Sequence, residues 1–359
     1  IDSGGMLKVK SKSPLNWSVC FSLESGMMTD WTYFGTNLVE HDCGPTLNLY
    51  RACTDNDRGG AFGTSFASRW NKIGLSNMSV SDVSVETAKE GLSMVTVSVH
   101  QVWRPRIPIV ENEEDASVAN VNEVGGIHWF GRDADSSSKT TEPSCSRVED
   151  QSDDDKEVAI DVRTMYTISS HKIDVDYDVD LSSLRSVLSC KGKTDPSVPR
   201  LGMHMEMPAT FDEAYWYGSG PHECYPDRKE SGLMQTWRAK VEDFPVKYIV
   251  PSESGGKTDV RWAAISSSDC TLFCLPKESQ TSFELFNVSP YSQSDVDAAD
   301  HWSELKPSSS THLYLDYRHM GVGGDDSWSP CIHEEYLIPP ASYKFGYQLK
   351  PLPGNKAII

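Results

Sequence analysis

Long apolar runs are scarce in this 359-residue chain, and those present, such as TLFCL at 271–275, are strand-sized. A membrane-spanning helix needs roughly 20 apolar residues, so no membrane span is expected. Basic charge is also short: 33 Lys plus Arg face 52 Asp plus Glu, a formal net charge of −19. Nucleic acid and anionic membrane surfaces are therefore excluded as main partners. The nine cysteines contain no C-x-x-C pair and are odd in number. Neither a zinc site nor a disulfide framework is signalled, and reduced thiols favour a cytoplasmic location. Sequons at Asn16, Asn77 and Asn287 pull weakly the other way. The chain starts at Ile1 without a charged-then-apolar leader, so the true start of translation is expected to be missing, which leaves the compartment unknown. There is no G-x-S-x-G elbow, P-loop, H-E-x-x-H or G-x-G-x-x-G. Helical periodicity is nearly absent too. The best candidate is SDVDAADHWSEL at 294–305, with Ser294 as N-cap and Asp297 three residues on.

What the chain has in quantity is strict alternation. MVTVSVHQVW (94–103), VAIDVRTMYTI (158–168) and LYLDYRHM (313–320) each read as a strand with one buried face. In HKIDVDYDVDL (171–181), Ile173, Val175, Tyr177, Val179 and Leu181 point in, and Asp174, Asp176, Asp178 and Asp180 point out. Those aspartates resemble the start of a calcium loop, but Val179 stands where glycine is needed and Arg185 where a bidentate Glu belongs. They are read as a wet strand face. RDADSSSKTTEPSCSRVEDQSDDDKE, about 132–157, breaks the alternation and is too poor in apolar side chains to offset the entropy of ordering. It is expected to be a disordered acidic insertion within a single domain over residues 1–359.

Three stretches concentrate site-forming residue types: LYRACTDNDRGG (49–60), YWYGSGPHECYPDR (215–228) and MGVGGDDSWSP (320–330). In the first, Asp55, Asn56 and Asp57 can bond their own backbone, and Gly59 and Gly60 can take positive φ, so a well-capped loop is the plain reading. The second stacks Tyr215, Trp216 and Tyr217 before a turn and Tyr225 after it, which suits a sugar face or a packed corner. In the third, Asp325, Asp326 and Ser327 can fix a glycine-rich turn that carries Trp328. An exposed tryptophan held by a polar turn favours a ligand or partner surface over burial.

YRACTDNDRGG, GSGPHECYPDR with the later YIVPSESGG (248–256), and HMGVGGDDSWSP (319–330) resemble, in order and spacing, the signatures of the C-terminal β-sandwich domain of bacterial-type β-galactosidases, family 2 glycoside hydrolases. The resemblance spans about residues 15 to 350 and implies an all-β, large antiparallel supersandwich like that of galactose mutarotases. It implies retaining hydrolysis by two glutamates about 5 Å apart on a preceding (β/α)₈ barrel, to which nothing here corresponds, so no catalytic residue is expected in this chain. The implied substrate-binding residues are Trp328, Asp326 and Ser327, with Trp328 lying against the sugar. The implied active-site loop, a mobile one, comprises Thr54, Asp55, Asn56, Asp57 and Gly59, with Gly59 as hinge. Cys53 stands where the bacterial motif has proline, which reads as a looser start to that loop. The acidic insertion is longer than in the bacterial pattern, which allows a eukaryotic homologue.

No metal ligand is implied on this chain; magnesium and sodium are expected on the catalytic portion. The expected partners are a large catalytic chain, in a hetero-oligomer, and a β-galactoside or galactose. The rival reading is a free-standing carbohydrate-binding module, with Trp328 and the aromatics near Trp216 as its platform. A mutarotase-like enzyme would need an acid and base in the sandwich itself, and the motifs provide neither.

Overall fold

The computed structural model describes residues 5–11, 16–60, 64–90, 93–105, 158–189, 195–326 and 329–354. The acidic insertion expected at 132–157 lies outside the described residues. The chain divides into two units, Pro108–Val158 and the remainder, and everything below concerns the remainder.

Alternating apolar residues bury one face of a strand, and the strands here pair antiparallel throughout. A four-stranded sheet runs in order through β1 (Met6–Lys10), β2 (Trp17–Ser22), β3 (Met28–Tyr33) and β4 (Thr36–Asn37). A five-stranded sheet holds β5 (Thr46–Asn48), β10 (Arg200–Pro208), β13 (Lys257–Val260), β16 (Phe283–Ser289) and β17 (Ser310–His319), in the order β13-β16-β17-β10-β5. A nine-stranded sheet is built from β6 (Ser79–Glu90), β7 (Met94–Arg104), β8 (Ile160–Ile168), β9 (Ile173–Asp180), β11 (Glu213–Gly218), β12 (Gln235–Lys240), β14 (Trp262–Ser266), β15 (Cys270–Pro276) and β18 (Ser342–Pro353). The all-β, antiparallel class expected from the alternation is the one observed.

Aromatic pairs join the two larger sheets face to face: Trp216 with Phe286 at 6.3 Å, Phe283 with Tyr347 at 5.7 Å, and Tyr317 stacked on Phe345 at 5.2 Å. The small sheet docks through Phe21 on Tyr166 at 5.0 Å. On β9 the outward aspartates meet lysines: Lys172 with Asp174 at 2.8 Å, Lys277 with Asp176 at 2.6 Å and Lys344 with Asp178 at 2.8 Å. The row is a charge-paired strand face, open to solvent at Asp180, half-buried at Asp176 and Asp178 and buried at Asp174, so the expected wet face holds for part of the strand.

Two expectations need correction. The helix is shorter and starts earlier: α4 covers Gln293–Ala298, following α1 (Asp55–Arg58), α2 (Phe66–Lys72) and α3 (Leu184–Leu188). Ser292, not Ser294, is its cap, accepting from the Asp295 amide at 3.0 Å, and Ala299 is already extended. β17 has no wet face. Leu313 and Leu315 face the core, and His312, Tyr314, Asp316 and His319 are buried as well. The reason is topological, since β17 is the middle strand of its sheet and loops cover its outer side.

Candidate functional site

The loops that cover the outer side of the five-stranded sheet are the three signature stretches. In the first, Thr54 caps α1: its hydroxyl accepts from the Asp57 amide at 3.2 Å, and the Asp57 carboxylate accepts from the Thr54 amide at 2.9 Å. Asp57 is wholly buried and also takes two bonds from Arg51, Nη2 to Oδ1 at 2.7 Å and Nε to Oδ2 at 3.0 Å. The other edge of the Arg51 guanidinium donates to the carbonyls of Met320 and Gly321 at 2.7 and 2.9 Å. Asn56 adds bonds from Nδ2 to the carbonyls of Val322 and Gly323 at 2.7 and 3.0 Å. The first stretch is thus sewn to the third.

The second stretch joins them through Asp227, whose carboxylate accepts from the Val322 and Gly323 amides at 3.0 and 2.7 Å. A Cβ on Gly321 would sit 2.6 Å from Asp227 Oδ2, which is why a glycine is needed there. From YIVPSESGG, the Glu253 amide bonds the Ala52 carbonyl at 3.1 Å, and Glu253 meets Arg200 at 3.3 Å and the Tyr225 hydroxyl at 3.2 Å. Arg200 pairs with Asp316 at 2.8 Å. The β10 to β17 register skips Tyr317, so Asp316 and His319 reach the same outer face despite being three apart.

This cluster is charged and dry. Burial pushes the Asp316 carboxyl up to about 7, against the pull of Arg200. Burial opposes the Arg200 charge, but Asp316 and Glu253 outweigh it and raise its pKa. Burial, then Arg200 and Arg51, hold His319 well below the ordinary histidine range. Its Nδ1 hydrogen goes to the Met320 carbonyl at 2.9 Å.

Of the expected site residues, Thr54, Asn56, Asp57 and Asp326 are engaged in these loops, while Asp55 lies exposed in the first turn of α1. Both Asp326 oxygens hold Ser329, Oδ1 accepting from its amide at 2.7 Å and Oδ2 from its hydroxyl at 2.7 Å. Ser327 and Trp328 lie outside the described residues. Gly59 has φ −62, open to any residue, and the glycine that uses positive φ is Gly60, at +125. Cys53 fastens the loop rather than loosening it. Its amide donates to Asp297 Oδ1 at 2.9 Å, a bond proline could not make, and Asp297 also takes the Tyr50 hydroxyl at 2.7 Å. Trp216 and Tyr225 are each 1% exposed, so these aromatics form a packed corner and no platform.

Sequence reasoning missed Asp227, Glu253, Asp297, Arg200 and Asp316 as members of the cluster. For Asp227 and Glu253 the signal was present, since each sits inside a quoted stretch. Asp297 was read only as part of a helix cap, and Arg200 opens strand β10 without any motif.

Residues 13–349 match the family model described as the β-galactosidase small chain. The chain belongs to that family. A β-galactosidase of Photobacterium profundum is 26% identical over 92% of this chain and 26% of its own length. One from Priestia megaterium is 40% identical over 45% of this chain and 15% of its own. The small-chain family member described here thus spans about a quarter of the length of a relative that matches it almost throughout. Among solved structures, the galactose 1-epimerase of Lactobacillus acidophilus covers 98% of this chain and is itself covered completely, at 5% identity and a TM-score of 0.43. That likeness is too loose to carry an argument about function. No helix among the described residues is long and apolar enough to cross a membrane.

Proposed function

We propose that this chain is the C-terminal, small-chain portion of a retaining family 2 β-galactosidase. It completes the galactoside site of a separate (β/α)₈ portion that carries both catalytic glutamates, and the two assemble as a hetero-oligomer. The observation that carries this reading is the convergence of the three signature stretches on one sheet face, where Arg51, Asn56 and Asp227 hold the backbone of residues 320–323 from three sides. Such bracing suits a turn that must present Trp328 to a sugar across a chain boundary. Asp57, Asp227 and Glu253 are each committed to internal bonds, which suits a bracing part for these three acids.

Magnesium and sodium belong, in this reading, to the catalytic portion. They require oxygen ligands, and among the described residues the one group of His, Cys, Asp or Glu side chains close enough to share an ion is His204, Glu206 and His312, a nitrogen-rich set.

The test is Trp328→Ala in the reassembled enzyme. Loss of a stacking contact of about 1.4 kcal/mol lowers kcat/KM for a β-galactoside about tenfold. Unchanged kinetics would remove Trp328 from the site. A binding module is separated from this reading by calorimetry of the isolated chain with lactose: saturation at millimolar sugar supports the module, and silence supports the two-part enzyme.

A further inference from the structure

On the same sheet face, beyond the signature loops, β10 and β17 bring together side chains that the galactosidase reading does not use. Glu206 lies directly opposite His312 in the antiparallel register, and His204, opposite Tyr314, is the diagonal neighbour of His312. His204 Nε2 and His312 Nδ1 are 3.2 Å apart, and Glu206 Oε1 is 3.9 Å from His312 Nδ1. One donor atom from each of the three residues falls within 4.8 Å of the others.

The surrounding bonds fix how these rings are presented. The Ser308 hydroxyl donates to the Ser310 carbonyl at 2.7 Å, so its oxygen can only accept from His312 Nε2 at 3.1 Å. The His312 hydrogen therefore sits on Nε2, and the Nδ1 lone pair is directed at His204 and Glu206. His204 is held by stacking on Tyr314, ring centroids 4.7 Å apart. The Glu206 carboxylate lies beside the Cys43 thiol and helps raise its pKa. A main-chain bond from the Glu206 amide to the Cys43 carbonyl at 2.9 Å braces that arrangement. An ion ligand held by such an outer partner is the usual construction of a protein metal site.

We propose that His204, Glu206 and His312 form a binding site for a divalent transition-metal ion of the zinc type, independent of the galactosidase reading. Zinc bonds imidazole nitrogen at about 2.0–2.1 Å, which in tetrahedral geometry separates two ligand nitrogens by about 3.3 Å. The observed 3.2 Å between the two nitrogens is close to that separation, and the Glu206 carboxylate, 3.9 Å from His312 Nδ1, moves in to complete the site. On binding, His204 moves its proton from Nε2 to Nδ1, and both imidazoles enter as neutral ligands. Burial already keeps them neutral, lowering His204 to about 3 and His312 below its ordinary value. Two nitrogens and one carboxylate favour zinc, cobalt or nickel over magnesium or calcium. Three protein ligands leave a fourth position for water. The ion would clamp β10 to β17.

The whole chain, stripped with a chelator and titrated calorimetrically with ZnCl₂, is expected to take up one ion at micromolar or tighter Kd and to gain thermal stability at saturating zinc. Glu206→Gln, which keeps the side-chain shape, and His204→Asn should each weaken that uptake at least tenfold. Exposed histidines such as His222, His301 and His333 can bind zinc weakly, but the variants share them. Zinc uptake equal in wild type and both variants overturns the site. So does a cobalt-loaded wild type without the visible bands of a four-coordinate nitrogen-ligated complex, a readout that holds even where a variant fails to fold.

Discussion

Asp57→Ala is the sharpest probe of the cluster that braces the glycine turn. The substitution removes both acceptors of a two-bond pair whose members are 0% exposed and leaves the Arg51 guanidinium buried against the Met320 and Gly321 carbonyls, His319 and the Trp70 ring, with no carboxylate among the described residues bonded to it. Breaking a buried pair from one side costs about 3–5 kcal/mol, because the remaining charge stays dehydrated. The same change deletes the acceptor for the Thr54 amide and with it half of the α1 capping box, worth about 1 kcal/mol. Urea unfolding of the purified chain should therefore show a loss of about 4–6 kcal/mol with the slope unchanged. Arg51→Met added to Asp57→Ala should recover part of that loss, since removing both charges is far less costly than removing one. A single variant that loses under about 1 kcal/mol, or a double variant no more stable than the single, would refute the account of this pair as the fastening between the first and third stretches.

Two further substitutions test other parts of the structure, Lys257 over the Trp216 and Phe244 rings and Gly321 in the glycine turn. Burial lowers the Lys257 amine from 10.5 to about 8, so in the folded state its charge is disfavoured; the penalty is complete below pH 8 and fades as pH rises to about 10.5, where the unfolded chain also gives up the proton. Wild type should gain on Lys257→Met by on the order of 3 kcal/mol across that window in urea titrations at fixed ionic strength, and a flat difference would show that Lys257 is solvated. Gly321→Ala, whose Cβ would meet Asp227 Oδ2 at 2.6 Å, should cost about 1–3 kcal/mol and lower Tm, whereas an unchanged Tm would mean that Asp227 is not held against the turn.

The strands were legible because a two-residue period survives in sequence, and β7, β8 and β9 lie where their alternation put them. β17 was legible as a strand but not as a doubly buried one. Alternation reports that polar residues share a face; it does not report that loops from residues 49–60, 223–228, 320–326 and 329–338 cover that face. Composition likewise flagged the three stretches but not their mutual contact. Arg51 to Met320 spans 269 residues, and nothing local marks such a pair. Cys53 was misjudged for a related reason. A missing proline reads as lost stiffness until Asp297, 244 residues on, is seen to use the amide that proline lacks.

Asp326 is where two roles can be told apart. The expected one is contact with the sugar; the observed one is internal, with the Ser329 amide and hydroxyl both donating to its carboxylate at 2.7 to 2.9 Å. These bonds tie Asp326 to Ser329, which flank positions 327 and 328 in sequence. Asparagine can keep the carbonyl oxygen as acceptor for the Ser329 amide and turn its amide group toward the hydroxyl, so it preserves the bracket while removing the charge. Alanine removes the bracket altogether. If the bracket is the whole role, Asp326→Asn leaves kcat/KM of the reassembled enzyme within about threefold of wild type, while Asp326→Ala lowers it about as much as Trp328→Ala does, and Asp326→Ala adds little in a Trp328→Ala background. If the carboxylate touches the sugar, the asparagine variant falls with the alanine one, because a charge-assisted bond to a hydroxyl is worth about 1.5–3 kcal/mol and an amide does not replace it. Equal, large losses in both variants would therefore return Asp326 to the binding surface and require a different support for the turn.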